Sequence, residues 1–93
     1  MTKNQQDANI AREITLLRET LILIEESQRD GDVLRTVELA EAIEDRGEAI
    51  MWSAVANARQ VPNKTWAEIG GRLRITRQAA QQRFSDLPAI TSA

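Results

Sequence analysis

The chain has 93 residues, 42% of them hydrophobic but only three aromatic (Trp52, Trp66 and Phe84), and a net charge of −2. That length holds one small core, with or without an accessory helix, which argues against an independent multi-step enzyme. With no Cys and no His, thiol nucleophiles, disulfides, zinc-finger ligation and imidazole acid–base chemistry are all missing, so we expect no enzyme, no metal and no cofactor.

The net charge averages two unlike halves. Residues 1–48 hold six Lys or Arg against twelve Asp or Glu, giving −6, whereas residues 49–93 hold six against two, giving +4. Such asymmetry fits a basic half that faces a polyanion and an acidic half held away from it; solvated faces of chance composition are the alternative. The longest apolar run, Leu21 to Ile24, is far short of the ~20 residues of a membrane span, and no basic segment followed by an apolar stretch opens the chain. We therefore expect no membrane and a cytoplasmic, nucleoid-associated protein.

Residues 1–6 are polar and expected to fray. From Asp7, a candidate N-cap, Ile10, Ile14, Leu17, Leu21 and Ile24 recur in steps of four and three, predicting one helical stripe and a first helix that runs to about Gln28. Leu16, Ile22 and Leu23 lie off that stripe. A helix apolar beyond one face suits packing against a second helix and against another chain together, so the stripe is a candidate homodimer seam, the inward face of a hairpin being the alternative. Asp30-Gly31-Asp32 is a turn, with Gly31 suited to a left-handed terminus and Asp32 to capping the next helix. The acidic group Glu25, Glu26, Asp30 and Asp32 lacks the glycine and paired ligands of a calcium loop and reads as a solvated turn.

A second helix is predicted from Val33 to about Gln60, with Val33, Val37, Ala40, Ile43, Gly47, Ile50, Ala54 and Ala58 at helical spacing. Gly47, near its middle, marks a kink or lets two backbones approach, and we expect the close approach. Trp52 is expected in a core or interface rather than as a base-stacking platform. Pro62-Asn63 ends the helix. Thr65-Trp66-Ala67-Glu68 then has the spacing of a capping box, opening a short helix with Trp66, Ile69, Gly70 and Leu73 on one face. Thr76 caps a last helix whose Ala80, Phe84 and Leu87 keep its apolar line until Pro88 closes it.

The stretch TWAEIGGRLRITRQAAQQRF, residues 65–84, resembles the helix-turn-helix of region four of bacterial sigma factors and of small bacterial transcriptional regulators. The resemblance rests on Ile69, the small Gly70, Leu73 and Ile75, and Thr76 followed by Arg77, and it covers about a fifth of the chain. It implies sequence-specific binding of double-stranded DNA through the major groove. At two positions the chain departs from that pattern: Arg74 stands at a turn position commonly held by Gly, where a left-handed backbone would carry strain on the order of 1 kcal/mol, and Arg83 stands where an aliphatic residue is usual.

The residue types support the same expectation by themselves. Gly70 leaves room where two helices cross, while Leu73 and Ile75 clamp the turn. The exposed face of the last helix then falls to Arg77, Gln78, Gln81 and Gln82, and paired hydrogen bonds from Gln to adenine and from Arg to guanine equip them to read bases. Lys64, Thr65, Arg72, Arg74, Thr76, Arg83 and Ser85 lie at helix starts or flanks, where phosphates are met; the Arg83 stem is expected over Phe84.

The expected architecture is all-α, about four helices: a helical hairpin over 1–60, serving dimerisation or partner binding, and a helix-turn-helix over 61–93. The expected function is a small homodimeric regulator, repressor-like, from a bacterium, phage or plasmid. Two alternatives stay open. One is a DNA-binding adaptor of a DNA-segregation or other nucleoprotein complex whose acidic helices recruit a protein. The other is a purely protein-binding bundle without salt-dependent DNA affinity.

Overall fold

Two long helices and two short ones follow one another in the computed structural model, which describes residues 3–60 and 64–85: α1 (Lys3–Asp30), α2 (Val33–Arg59), α3 (Trp66–Leu73) and α4 (Arg77–Arg83). No strand occurs among the described residues, and none of their helices is long and apolar enough to cross a membrane. Residues 61–63, 87 and 88 lie outside the described residues; α4 ends at Arg83, short of the expected end at Leu87, because the Phe84 backbone, at φ −110° and ψ 18°, leaves the helix.

The turn between α1 and α2 forms as its residues predict. Gly31 takes φ +69°, the Asp32 N–H bonds the Ser27 carbonyl at 2.9 Å and the Gly31 N–H bonds that of Gln28 at 3.2 Å. This paired closure satisfies carbonyls left open at a helix end. The Asp32 carboxylate then accepts from the Arg35 N–H at 3.0 Å and caps α2. The start of α1 differs from expectation. Asp7 is not a cap; the helix begins at Lys3, and Asp7 instead receives a hydrogen bond from Asn57 Nδ2 at 2.9 Å. Gln6, expected to fray, is buried, because α2 is long enough to give the first turns of α1 something to pack on.

The line of α1 that faces α2 is polar. Gln6, Glu13 and Ser27 are buried and Thr20 is half-buried, all at seven-residue spacing. Glu13 pairs with Arg46 at 3.2 Å, Ser27 Oγ and Thr36 Oγ1 lie 2.7 Å apart, and Thr20 donates to the Leu16 carbonyl. Buried polar groups with partners specify one register, since any slip strands a carboxylate or hydroxyl away from water. The predicted apolar stripe is thereby split. Ile10, Leu17 and Ile24 are half-buried beside the polar line, whereas Ile14 and Leu21 stay exposed. Gly47 is exposed and an added Cβ would meet nothing within 4 Å, so the close approach expected there does not occur within the chain.

The apolar core lies at the other end of α2. Val55 and Phe84 are buried, with Met51, Trp52, Trp66, Ile69 and Leu73 packed around them. All three aromatic rings meet here. Phe84 stands edge-on to Trp52 at 5.4 Å and parallel to Trp66 at 6.4 Å, geometries that suit the charge distribution of aromatic rings. Trp52 is a core residue, as expected, and its Nε1 donates to Glu48 at 2.8 Å. The molecule measures 49 × 28 × 18 Å with a radius of gyration of 16.0 Å, against about 12 Å for a globular chain of this length. The hairpin tip therefore extends well beyond the core.

Candidate nucleic-acid interface

The α3–turn–α4 unit is built by local chemistry before any packing. Thr65 Oγ1 accepts from the Glu68 N–H at 3.2 Å and Glu68 Oε2 accepts from the Thr65 N–H at 3.0 Å, completing the predicted capping box. Thr76 Oγ1 accepts from the Ala79 N–H at 3.0 Å and opens α4. Both hydroxyls still have a proton to donate.

Between these caps α3 ends in the same paired closure as α1. The Ile75 N–H bonds the Gly70 carbonyl at 2.9 Å and the Arg74 N–H bonds that of Gly71 at 3.3 Å. Arg74 is left-handed, at φ 62° and ψ 37°, so the turn keeps the usual width and holds a strained arginine where a glycine is easiest. Gly70 makes the turn possible. A Cβ there would sit 2.8 Å from the Ile75 carbonyl oxygen and 2.9 Å from that of Thr76, both backbone atoms that cannot rotate away. Only glycine lets α3 lie this close to the start of α4.

Burial then fixes which side of α4 faces out. Ala80 and Phe84 are fully buried, pinning one side to the core. Gln78, Gln81 and Gln82 are exposed away from that side and Arg77 is exposed at its edge, with Ser85 one turn further on. Lys64, Thr65, Arg72, Arg74 and Thr76 are exposed at the starts and ends of α3 and α4. The structure thus brings the four expected base-reading residues onto one surface and most of the expected positioning residues around it. Over residues 64–85 this surface carries five cations, Lys64, Arg72, Arg74, Arg77 and Arg83, against the carboxylates of Glu68 alone.

Arg83 and Ser85 are more tied than expected. The Arg83 guanidinium lies 5.1 Å from the Phe84 ring centre, as its stem suggested, but its head pairs with Glu48 of α2 at 3.1 Å instead of standing free. Ser85 Oγ donates to the Gln82 carbonyl. Two contributors were missed from sequence. Glu48 bridges α2 to α4 through Arg83 and holds Trp52, and Arg59 lies over the Trp66 ring at 4.7 Å while donating to the Lys64 carbonyl at 3.1 Å. Arg59 sets the entry into α3. The Glu48–Arg83 pairing spans 35 positions and no local spacing announces it; for Arg59 the one hint was an arginine a few residues before a Pro-Asn turn.

A groove of about 640 Å³ runs between α2 and α3, floored by Met51, Ala54, Val55 and Leu73 and edged by Lys64 and Arg72. It opens beside the basic surface and holds no part of it except those two cations.

An amide- and guanidinium-bearing helix face, flanked by cations and by helix starts with N–H and O–H donors, can hydrogen-bond base edges in a groove about 12 Å wide and meet the phosphates on either side. Comparison of the chain with protein-family models, curated proteins and solved structures returned no match.

Proposed function

We propose that this protein is a sequence-specific DNA-binding regulator that lays α4 in the major groove and acts, as a homodimer, by occupying a short repeated site. The observation that carries this reading is the division of α4: Ala80 and Phe84 are buried to completion while Arg77, Gln78, Gln81 and Gln82 all face outward. Glutamines on a merely solvated helix need no such backing. Here they sit on a helix held rigid by its cap, by the Gly70 contact and by three aromatic rings, which is what reading of base edges requires.

Arg77, Gln78, Gln81 and Gln82 read bases in this scheme. Lys64, Thr65, Arg72, Arg74 and Thr76 hold phosphates, with the Thr65 and Thr76 hydroxyl protons directed to phosphate oxygens. The charge division supports the orientation: residues 3–60 carry seven cations against twelve carboxylates, so the hairpin is repelled from DNA while the α3–α4 surface is drawn to it.

Titration with duplex DNA at low ionic strength, followed through the amide resonances of residues 76–85, tests the reading. Binding through α4 shifts these resonances most and weakens steeply as salt rises. Resonances that stay in place throughout the titration would remove it.

A further inference from the structure

The hairpin leaves large apolar side chains on its surface while burying Gln6, Glu13 and Ser27 between its helices, the reverse of what a self-sufficient hairpin does. Of the exposed ones, Ile14 and Leu21 belong to one line, whereas Ile22, Leu23, Val33, Leu34 and Val37 lie toward the tip of the hairpin. Taking the buried Glu13 as the direction from α1 to α2, and about 100° per residue, Ile10, Ile14, Leu17, Leu21 and Ile24 fall along one flank of α1. On α2, with Leu39 and Arg46 pointing inward, Ala40, Ile43, Gly47, Ile50 and Ala54 fall along one flank as well. Because the helices are antiparallel, rotation runs in opposite senses along them, and the two flanks lie on the same side of the hairpin.

We infer that this side is the contact surface for a second copy of the chain, and that α2 contributes to it as much as α1 does, so that two hairpins close into a four-helix bundle. The inference deepens the homodimer in the proposed function and is independent of DNA.

Three observations support a second copy as the occupant. The face carries no charged side chain on either flank between Ile10 and Ile24 or between Ala40 and Ala54. Its relief complements itself. Ile14 and Leu21 stand up from α1 seven residues apart, while the exposed Ala40, Gly47 and Ala54 of α2 form a low line at the same seven-residue spacing. Under a two-fold axis the raised line of each copy meets the low line of the other, so ridges find grooves without adjustment. Finally, the face continues into the groove between α2 and α3, which Ala54 also lines.

Sedimentation equilibrium of the full chain tests this, with circular dichroism read on every variant. The expected mass is twice the 10.4 kDa of one chain. Leu21→Asp and Gly47→Glu each reduce it to that of one chain with helix content kept, because both positions are exposed in the single chain and nothing approaches Gly47. Ala40→Gln, an uncharged and helix-compatible change, weakens the dimer in the same direction. Glu19→Arg, on the opposite flank, leaves the mass doubled. A wild-type chain that sediments as one copy at every concentration used for DNA titration overturns the inference. So does a Gly47→Glu protein that stays dimeric beside a monomeric Leu21→Asp protein, which would leave the seam on α1 alone, or a Glu19→Arg protein that dissociates. A dimer indifferent to DNA keeps this inference and removes the regulator; a monomer that binds duplex DNA does the converse.

Discussion

Gly31 and Arg74 occupy the same place in the same helix-ending motif, with φ of 69° and 62°. In each, the next residue's N–H reaches back five positions, Asp32 to Ser27 and Ile75 to Gly70, both at 2.9 Å. One position is filled by the residue the conformation prefers and the other by one it strains. The arginine stands beside the surface proposed to meet phosphates, so strain and charge at Arg74 are separable quantities.

Arg74→Gly therefore raises stability and lowers DNA affinity together. Relief of left-handed strain, about 1–2 kcal/mol, exceeds the extra backbone entropy of glycine, about 0.5–1 kcal/mol, so a net gain of roughly 0.5–1 kcal/mol is expected in urea unfolding. The salt dependence of DNA binding becomes shallower by about one phosphate contact. Unchanged salt dependence would take Arg74 off the set of phosphate-holding residues.

Adjacent glycines respond in opposite directions. At Gly70 a methyl group meets two backbone oxygens closer than 3.0 Å, while at the exposed Gly71 it meets nothing within 4 Å. Gly70→Ala is expected to cost about 1–2 kcal/mol even after its gain in helix propensity, and Gly71→Ala to add about 0.5–1 kcal/mol. Thermal unfolding of the two variants, followed by tryptophan fluorescence from the core around Phe84, reads both signs in one experiment.

Base reading and phosphate holding separate by selectivity. Arg77→Ala or Gln81→Ala should weaken binding to the preferred site by about 1–3 kcal/mol and relax base preference there, whereas Arg72→Ala should weaken all sequences alike and reduce the salt slope. Affinities for selected and random duplexes at two salt concentrations give the comparison. Equal losses on both duplexes for all three variants contradict the assignment.

Glu48→Gln tests whether the Arg83–Glu48 pair withholds a cation from DNA. The glutamine oxygen can still accept from Trp52 Nε1, which Glu48 does at 2.8 Å, so the core contact survives. Both partners of the ion pair are more than a third exposed, and its loss should change stability by no more than about 1 kcal/mol. With Arg83 released and one carboxylate gone, DNA affinity at low salt should rise several-fold. An affinity that stays the same in Glu48→Gln and falls little in Arg83→Ala assigns Arg83 to joining α4 and α2 alone.

The order of amino acids was enough to place four helices and most of their caps, though not the start of α1 or the end of α4, because caps depend on contacts within a few residues: Asp32, Thr65 and Thr76 cap the backbone beside them, Gly31 ends α1, and Gly70 announces a close crossing. It was enough for the α4 face as well, since Ala80 and Phe84 one turn apart leave Gln78, Gln81 and Gln82 turned away from them on any helix, with Arg77 at the edge. Which of several apolar lines each long helix buries was settled by long-range packing alone. Ile14 and Leu21 share a periodic stripe with Leu17, yet the inward line of α1 runs through Gln6, Glu13 and Ser27, because Arg46 and Thr36 on the second helix offer partners to Glu13 and Ser27. Glu48 beside Arg83, and Arg59 over Trp66, obey the same logic: these side chains met only once α2 had been placed against both ends of the molecule.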